Sequence, residues 1–223
     1  MGENILFVLS NVSEFDDKHK TGIWFEEFST PYKEMKKAGF KTTIASPEGG
    51  LVTVDKKSIP ENLSEEDKLI MESLKDTEKL SELAYEDFNA VVIAGGHAAM
   101  VDLAGNIDVA KLVGLFAYEK KIVAAICHGV AALISARKKD NHPVVEGIDL
   151  TGFSNEEEKL SEMEKVVPFL LESRLKEFGA KYSCGKPFTS FVIEDDNFIT
   201  AQNPQSVEDF TKAIIEKLRE NEK

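Results

Sequence analysis

Unbroken apolar runs alternate with amphipathic stretches along this chain. Residues 5–10 form a short, continuously apolar run, the pattern of a strand covered on both faces, and 40–46, 90–94 and 121–126 are read as further strands. Between them, apolar residues recur at helical spacing. One helix is predicted over 22–37, with Ile23, Trp24, Phe28, Tyr32 and Met35 on its apolar side, and another over 107–120. Pro31 predicts a kink or break near Thr30, and Gly39 a stop. Residues 181–184, 191–194 and 198–201 are shorter strand candidates. A closing helix is predicted over 206–220, with Ser206 and Asp209 spaced as a capping box.

Strands alternating with helices predict an α/β fold, a mostly parallel central sheet doubly wound by right-handed crossovers with helices on both faces. Such sheets hold their ligands at the carboxyl ends of the strands. Two stretches read as insertions on this core, roughly 49–85, with a helical part over 61–74, and 155–178, with one or two acidic helices. No Pro/Ser-rich linker divides the sequence, so residues 1–223 are read as one domain.

Charge narrows the partners. The 223 residues carry 27 Lys and Arg against 40 Asp and Glu, a net charge of −13. So acidic a surface repels phosphate backbones and anionic bilayers, which argues against nucleic-acid and membrane partners and leaves small molecules. No run approaches the ~18 apolar residues of a membrane span, and no basic stretch precedes the first apolar run. The two cysteines, Cys127 and Cys184, form no CxxC and no ligand spacing, so the expectation is a cytoplasmic protein whose thiols act singly. Four scattered histidines give no support for a metal site.

The sharpest local signal is VAAICHGVAALISA. A strand runs straight into Cys127-His128-Gly129, and an Ala/Leu helical pattern follows. With small residues at Ala125 and Gly129, A-x-C-x-G has the spacing of a G-x-S-x-G nucleophile elbow. A sulfur at a helix N-terminus should titrate below the usual value of about 8.5 and act as a nucleophile. Cys184, in KYSCG, reads as a structural core thiol. Gly95-Gly96-His97 follows another strand. Its N–H groups could join the His128 amide in an oxyanion hole, although a plain strand-to-helix turn explains a bare GGH equally well. His97 itself either lines the pocket or caps a helix. His19 reads as solvated and His142 as part of a turn. Glu26 and Glu27 interrupt a strongly apolar helix, and one of them is open to being forced inward.

Taken in order, GIWFEEFSTP, SPEGG, AGGHAAMVDL, AAICHGVAAL, LTGFSNEEE and ITAQNPQS resemble the ThiJ/PfpI superfamily over the whole chain. More narrowly they resemble its glyoxalase III-like branch, which includes heat-shock-type chaperones. The resemblance implies a flavodoxin-like sandwich and a small 2-oxoaldehyde substrate such as methylglyoxal, converted to lactate without glutathione or any other cofactor. It also implies a homodimer. It assigns the nucleophile to Cys127, its histidine to His128, the buried acid to Glu27 and the acid that orients the histidine to Glu158. Gly95, Gly96, His97 and Gly129 fall on the substrate and oxyanion side. Counting from Thr151-Gly152-Phe153 selects Glu158, but Glu156 and Glu157 stand beside it, and Ser154 with Glu157 also has capping-box spacing. Helical geometry favours Glu27 over Glu26. The two point about 100° apart, and Glu27 shares its stripe with Trp24 and Pro31 while Glu26 shares one with Thr30 and Lys33. A carboxyl in such a pocket should have a raised pKa. Two departures stand out: Ala98 where the family often has Gly, and Val130 where it often has Pro. Ala98 is expected to narrow the pocket or to alter the approach to the oxyanion hole. Other readings in the same superfamily are a holdase chaperone, a protein deglycase and a cysteine peptidase-like hydrolase. Glutamine amidotransfer ranks low, because no histidine follows His142.

Overall fold

A computed structural model describes residues 3–221. In chain order its elements are β1 (Asn4–Val8), α1 (Phe25–Lys37), β2 (Lys41–Ser46), α2 (Glu65–Ser73), β3 (Glu78–Lys79), β4 (Ala90–Ile93), α3 (Ala99–Asp102), α4 (Ile107–Glu119), β5 (Ile122–Ile126), β6 (Asp149–Leu150), α5 (Asn155–Leu160), α6 (Leu171–Glu177), β7 (Lys181–Tyr182), β8 (Val192–Asp195), β9 (Phe198–Ala201) and α7 (Val207–Asn221). Seven strands form one sheet in the order β3-β2-β1-β4-β5-β9-β8. All its pairings are parallel except β8 with β9.

The central strands β1, β4 and β5 are almost wholly buried, which is why their sequences are continuously apolar. Helix α1 packs on α7, while α4 packs on β4, β5 and the segment after β5, giving flanking layers on a flavodoxin-like α/β sheet. Strand order reverses at β1. The loops leaving β1, β4 and β5 therefore open side by side at one edge, the position where such folds bind ligands.

Several local expectations are corrected. Helix α1 starts at Phe25 rather than Gly22 and runs through Pro31 to Lys37 without a break. Pro31 lacks the N–H that would meet the Glu27 carbonyl, but its fixed φ suits a helix, and its buried ring fills the core face. Cys127–Leu133 forms a 3₁₀ segment, not an α-helix. Ser206 makes no capping box with Asp209: its Oγ donates to Asn203 and accepts from the Phe191 N–H, while Asp209 accepts from Ser190. Strand β7 stops at Tyr182 and pairs with β6 in a separate two-stranded sheet. Cys184 lies beyond it, exposed rather than in the core.

Candidate active site

At the end of β5 the backbone turns sharply, with Cys127 at φ 56°. This left-handed conformation costs a non-glycine residue about 1–2 kcal/mol, and it aims the side chain at the edge of the sheet. Gly129 permits the turn, since a Cβ there would meet the Ile93 and Ala94 carbonyls of the adjacent chain. Gly95 is needed for the same reason, because a Cβ would collide with Glu27 Oε2, the Ile126 carbonyl and Cys127 Cβ. Gly95 and Gly129 thus serve close packing. Gly96, His97, Cys127 and His128 line a cavity of 160 Å³ with Trp24, Phe153, Ser161, Phe188, Pro204 and Gln205. Ala98 is buried and is not among the residues that line it.

Glu27 is fully buried beneath the sulfur, and Glu26 is exposed. Neither Glu27 oxygen has a well-formed hydrogen bond, although the Cys127 thiol and the Gly95 N–H lie next to it. Burial pushes its pKa up to about 8, against the opposing pull of those two groups. The Cys127 thiol is also pushed up, first by burial and then by the Glu27 charge, while the N–H groups of His128 and Gly96 favour the anion. This reverses the expected lowering: the 3₁₀ turn supplies the His128 N–H and the loop after β4 supplies that of Gly96, but neither brings the dipole of a long helix, and desolvation outweighs them.

On the other side of the sulfur, His128 Nδ1 stands 3.3 Å from Cys127 Sγ. The opposite nitrogen, Nε2, donates to Glu158 Oε2 at 2.7 Å. Glu158 Oε1 accepts from His97 Nε2 at 2.8 Å, so one carboxylate holds two imidazoles. Burial pushes His128 down to about 4, and His97 adds to that while Glu158 opposes it. Glu158 is lowered to about 2, since its two histidine partners outweigh its desolvation. The histidines are therefore not all scattered. His97, His128 and Glu158 bring donor atoms within 4.8 Å of one another and could reach a common cation. A cation there would have to displace the Nε2 protons that now orient both rings. His19 pairs with Asp16 and His142 with Glu146, both exposed.

The residue missed by the sequence reading is Glu157. It does complete the capping box with Ser154, but it is no solvated cap. Its carboxylate is fully buried and accepts from Ser154 N and Oγ, the Phe188 N–H, Gln202 Nε2 and Asn203 Nδ2, at 2.7–3.0 Å. It thereby ties the start of α5, which carries Glu158, to the loops that carry Phe188 and Pro204. The capping box was readable from spacing. The three more distant partners were not.

The chain is similar to known proteins over most of its length. The family described as DJ-1/PfpI matches residues 23–217. "Glutathione-independent glyoxalase HSP31" of Saccharomyces cerevisiae is 24% identical over 97% of this chain and 98% of its own length. Among solved structures, glyoxalase III from Candida albicans superposes with a TM-score of 0.84 at 26% identity, covering 96% of each chain. Rapid Encystment Protein 24 kDa of Francisella tularensis superposes at 0.92 with 35% identity, covering 97% of this chain and 99% of that one.

Proposed function

The chain belongs to the DJ-1/PfpI family, and from that premise we propose that it is a glutathione-independent glyoxalase converting methylglyoxal-type 2-oxoaldehydes to 2-hydroxy acids. One observation carries the reading. A single buried sulfur lies between a carboxyl with a pKa near 8 and an imidazole kept neutral by a pKa near 4. Relatives named glyoxalases share nearly the full length of the chain.

Cys127 adds to the aldehyde carbon, and its proton passes to His128 Nδ1 at 3.3 Å. The ionised Glu158 stabilises the imidazolium as it forms, so a thiol with a raised resting pKa still attacks through general-base assistance. The N–H groups of Gly96 and His128, which face the sulfur, lie beside the carbon where the oxyanion develops. Glu27 then moves a proton from the aldehyde carbon to its neighbour through an enediol. A pKa near working pH makes loading and unloading that proton nearly equal in cost. One carbon is oxidised as its neighbour is reduced, which leaves a 2-hydroxyacyl thioester that water cleaves.

The test is direct. Purified protein given methylglyoxal without glutathione should form lactate, and Cys127→Ala should abolish it. Absence of lactate from the wild type, or its persistence in the variant, overturns the reading.

A further inference from the structure

We infer that His97 is the general base that activates water for release of the acyl group from Cys127. This step rests on the glyoxalase reading and completes it.

Glu158 gives one oxygen to each imidazole, Oε1 to His97 and Oε2 to His128. An ionised carboxylate can only accept, so each ring turns an Nε2 proton to Glu158, and in its neutral form each carries its lone pair on Nδ1. The His128 lone pair faces the sulfur. The His97 side chain is 16% exposed and lines the cavity, and its Nδ1 takes no hydrogen bond from the protein among the described residues.

Geometry disfavours the other bases for this step. Glu27 meets the adduct from the buried side of the sulfur and does not line the cavity through which water enters. His128 is 1% exposed, packed against the rings of His97 and Phe153 at centroid distances of 4.0 and 4.4 Å, with both nitrogens engaged. Water approaching a thioester on Cys127 through the cavity meets the more exposed imidazole, His97.

In the step, the water oxygen forms the new C–O bond and its proton passes to His97 Nδ1. The tetrahedral adduct collapses, and the C–S bond breaks with its electron pair on sulfur. His97 then returns its proton to the thiolate, and the acid departs as a carboxylate after losing its own proton to solvent. No oxidant or reductant enters.

His97→Gln is the informative variant, because its amide N–H still reaches towards Glu158 while the basic lone pair is lost. Turnover of methylglyoxal should fall roughly 100-fold, after a burst of one acyl group per Cys127. Hydroxylamine added after unreacted methylglyoxal has been removed should convert that adduct to a hydroxamate and free the Cys127 thiol, since it attacks a thioester without needing a base. The isomeric hemithioacetal would instead dissociate on dialysis. Should His97→Gln lose its near-ultraviolet dichroism, His97→Ala with added imidazole provides the same comparison, with turnover rising as imidazole rises. Turnover near the wild-type rate overturns the inference. So does slow turnover with no thioester and no hydroxamate released by hydroxylamine, provided the wild type forms lactate. A wild type that forms none overturns the glyoxalase reading itself.

Discussion

Glu27 lies against the Cys127 sulfur and Glu158 one imidazole away from it, both almost completely buried, and they stand at opposite ends of the carboxylate range. Glu27 is pushed up to about 8 and Glu158 down to about 2. Desolvation raises both, so depth does not separate them. Partners do. Glu158 accepts from two imidazole N–H groups, whereas neither Glu27 oxygen has a well-formed partner. An orphaned buried carboxyl is expensive, and its place against a nucleophilic sulfur gives that cost a use. One side of the site thus stores a mobile proton, and the other stores a fixed negative charge.

The largest expected effect comes from removing the mobile proton. Glu27→Gln retains a hydrogen-bond donor next to sulfur but cannot accept a proton from carbon. Lactate formation should fall about 10³-fold, within the range of general acid–base catalysis. Iodoacetamide should still alkylate Cys127, with its pH midpoint shifted down because a like charge is gone. A midpoint that rises would break the comparison. The same variant tests the linkage. A group whose pKa is raised in the folded state favours folding below its unfolded pKa and loses that contribution as pH climbs through about 8. Between pH 5 and pH 8, urea unfolding should therefore show Glu27→Gln gaining roughly 3–4 kcal/mol over the wild type.

A smaller loss, about 100-fold, is expected from Glu158→Gln, where the charge disappears but the side-chain shape remains. The sign of the accompanying pH change is fixed. Glu158 raises the His128 pKa against the downward pull of burial and His97, so removing its charge lowers that pKa further. The acid limb of the kcat/KM profile should move to lower pH while the plateau drops. A shift to higher pH would mean that Glu158 does not act through His128.

This contrast was only half legible in the sequence. Continuous apolar runs identify β1, β4 and β5, because parallel strands are covered on both faces. The elbow could be read from its small flanks, and Glu27 from a helical stripe, since these relations span only a few residues. Glu158 meets His97 across 61 residues and Glu157 meets Asn203 across 46, and no periodicity links them. The choice among Glu156, Glu157 and Glu158 rested on resemblance alone. The direction of the Cys127 shift was misread for a related reason. The turn after β5 is local, but the Glu27 charge and the desolvation that outweigh it come from tertiary packing.

The smallest effects should fall where polar groups lie outside both halves of the site. Cys184 was read as a core thiol, a role that would make its replacement a packing defect. It sits instead beyond the end of β7, exposed, and absent from the residues lining the cavity. Surface substitutions of this kind usually stay within about 0.5 kcal/mol. Cys184→Ser should therefore leave both lactate formation and the urea midpoint unchanged within error. Glu26→Gln should behave in the same way for turnover. Glu26 is adjacent to Glu27 in the chain, but it points about 100° away around the helix and is exposed. Its one expected trace is slight: its charge contributes weakly to raising Glu27, so the Glu27 pKa should relax downward by a small fraction. Losses comparable to those of Glu27→Gln from either substitution would mean that the chemistry is not confined to the sulfur and its two carboxylates.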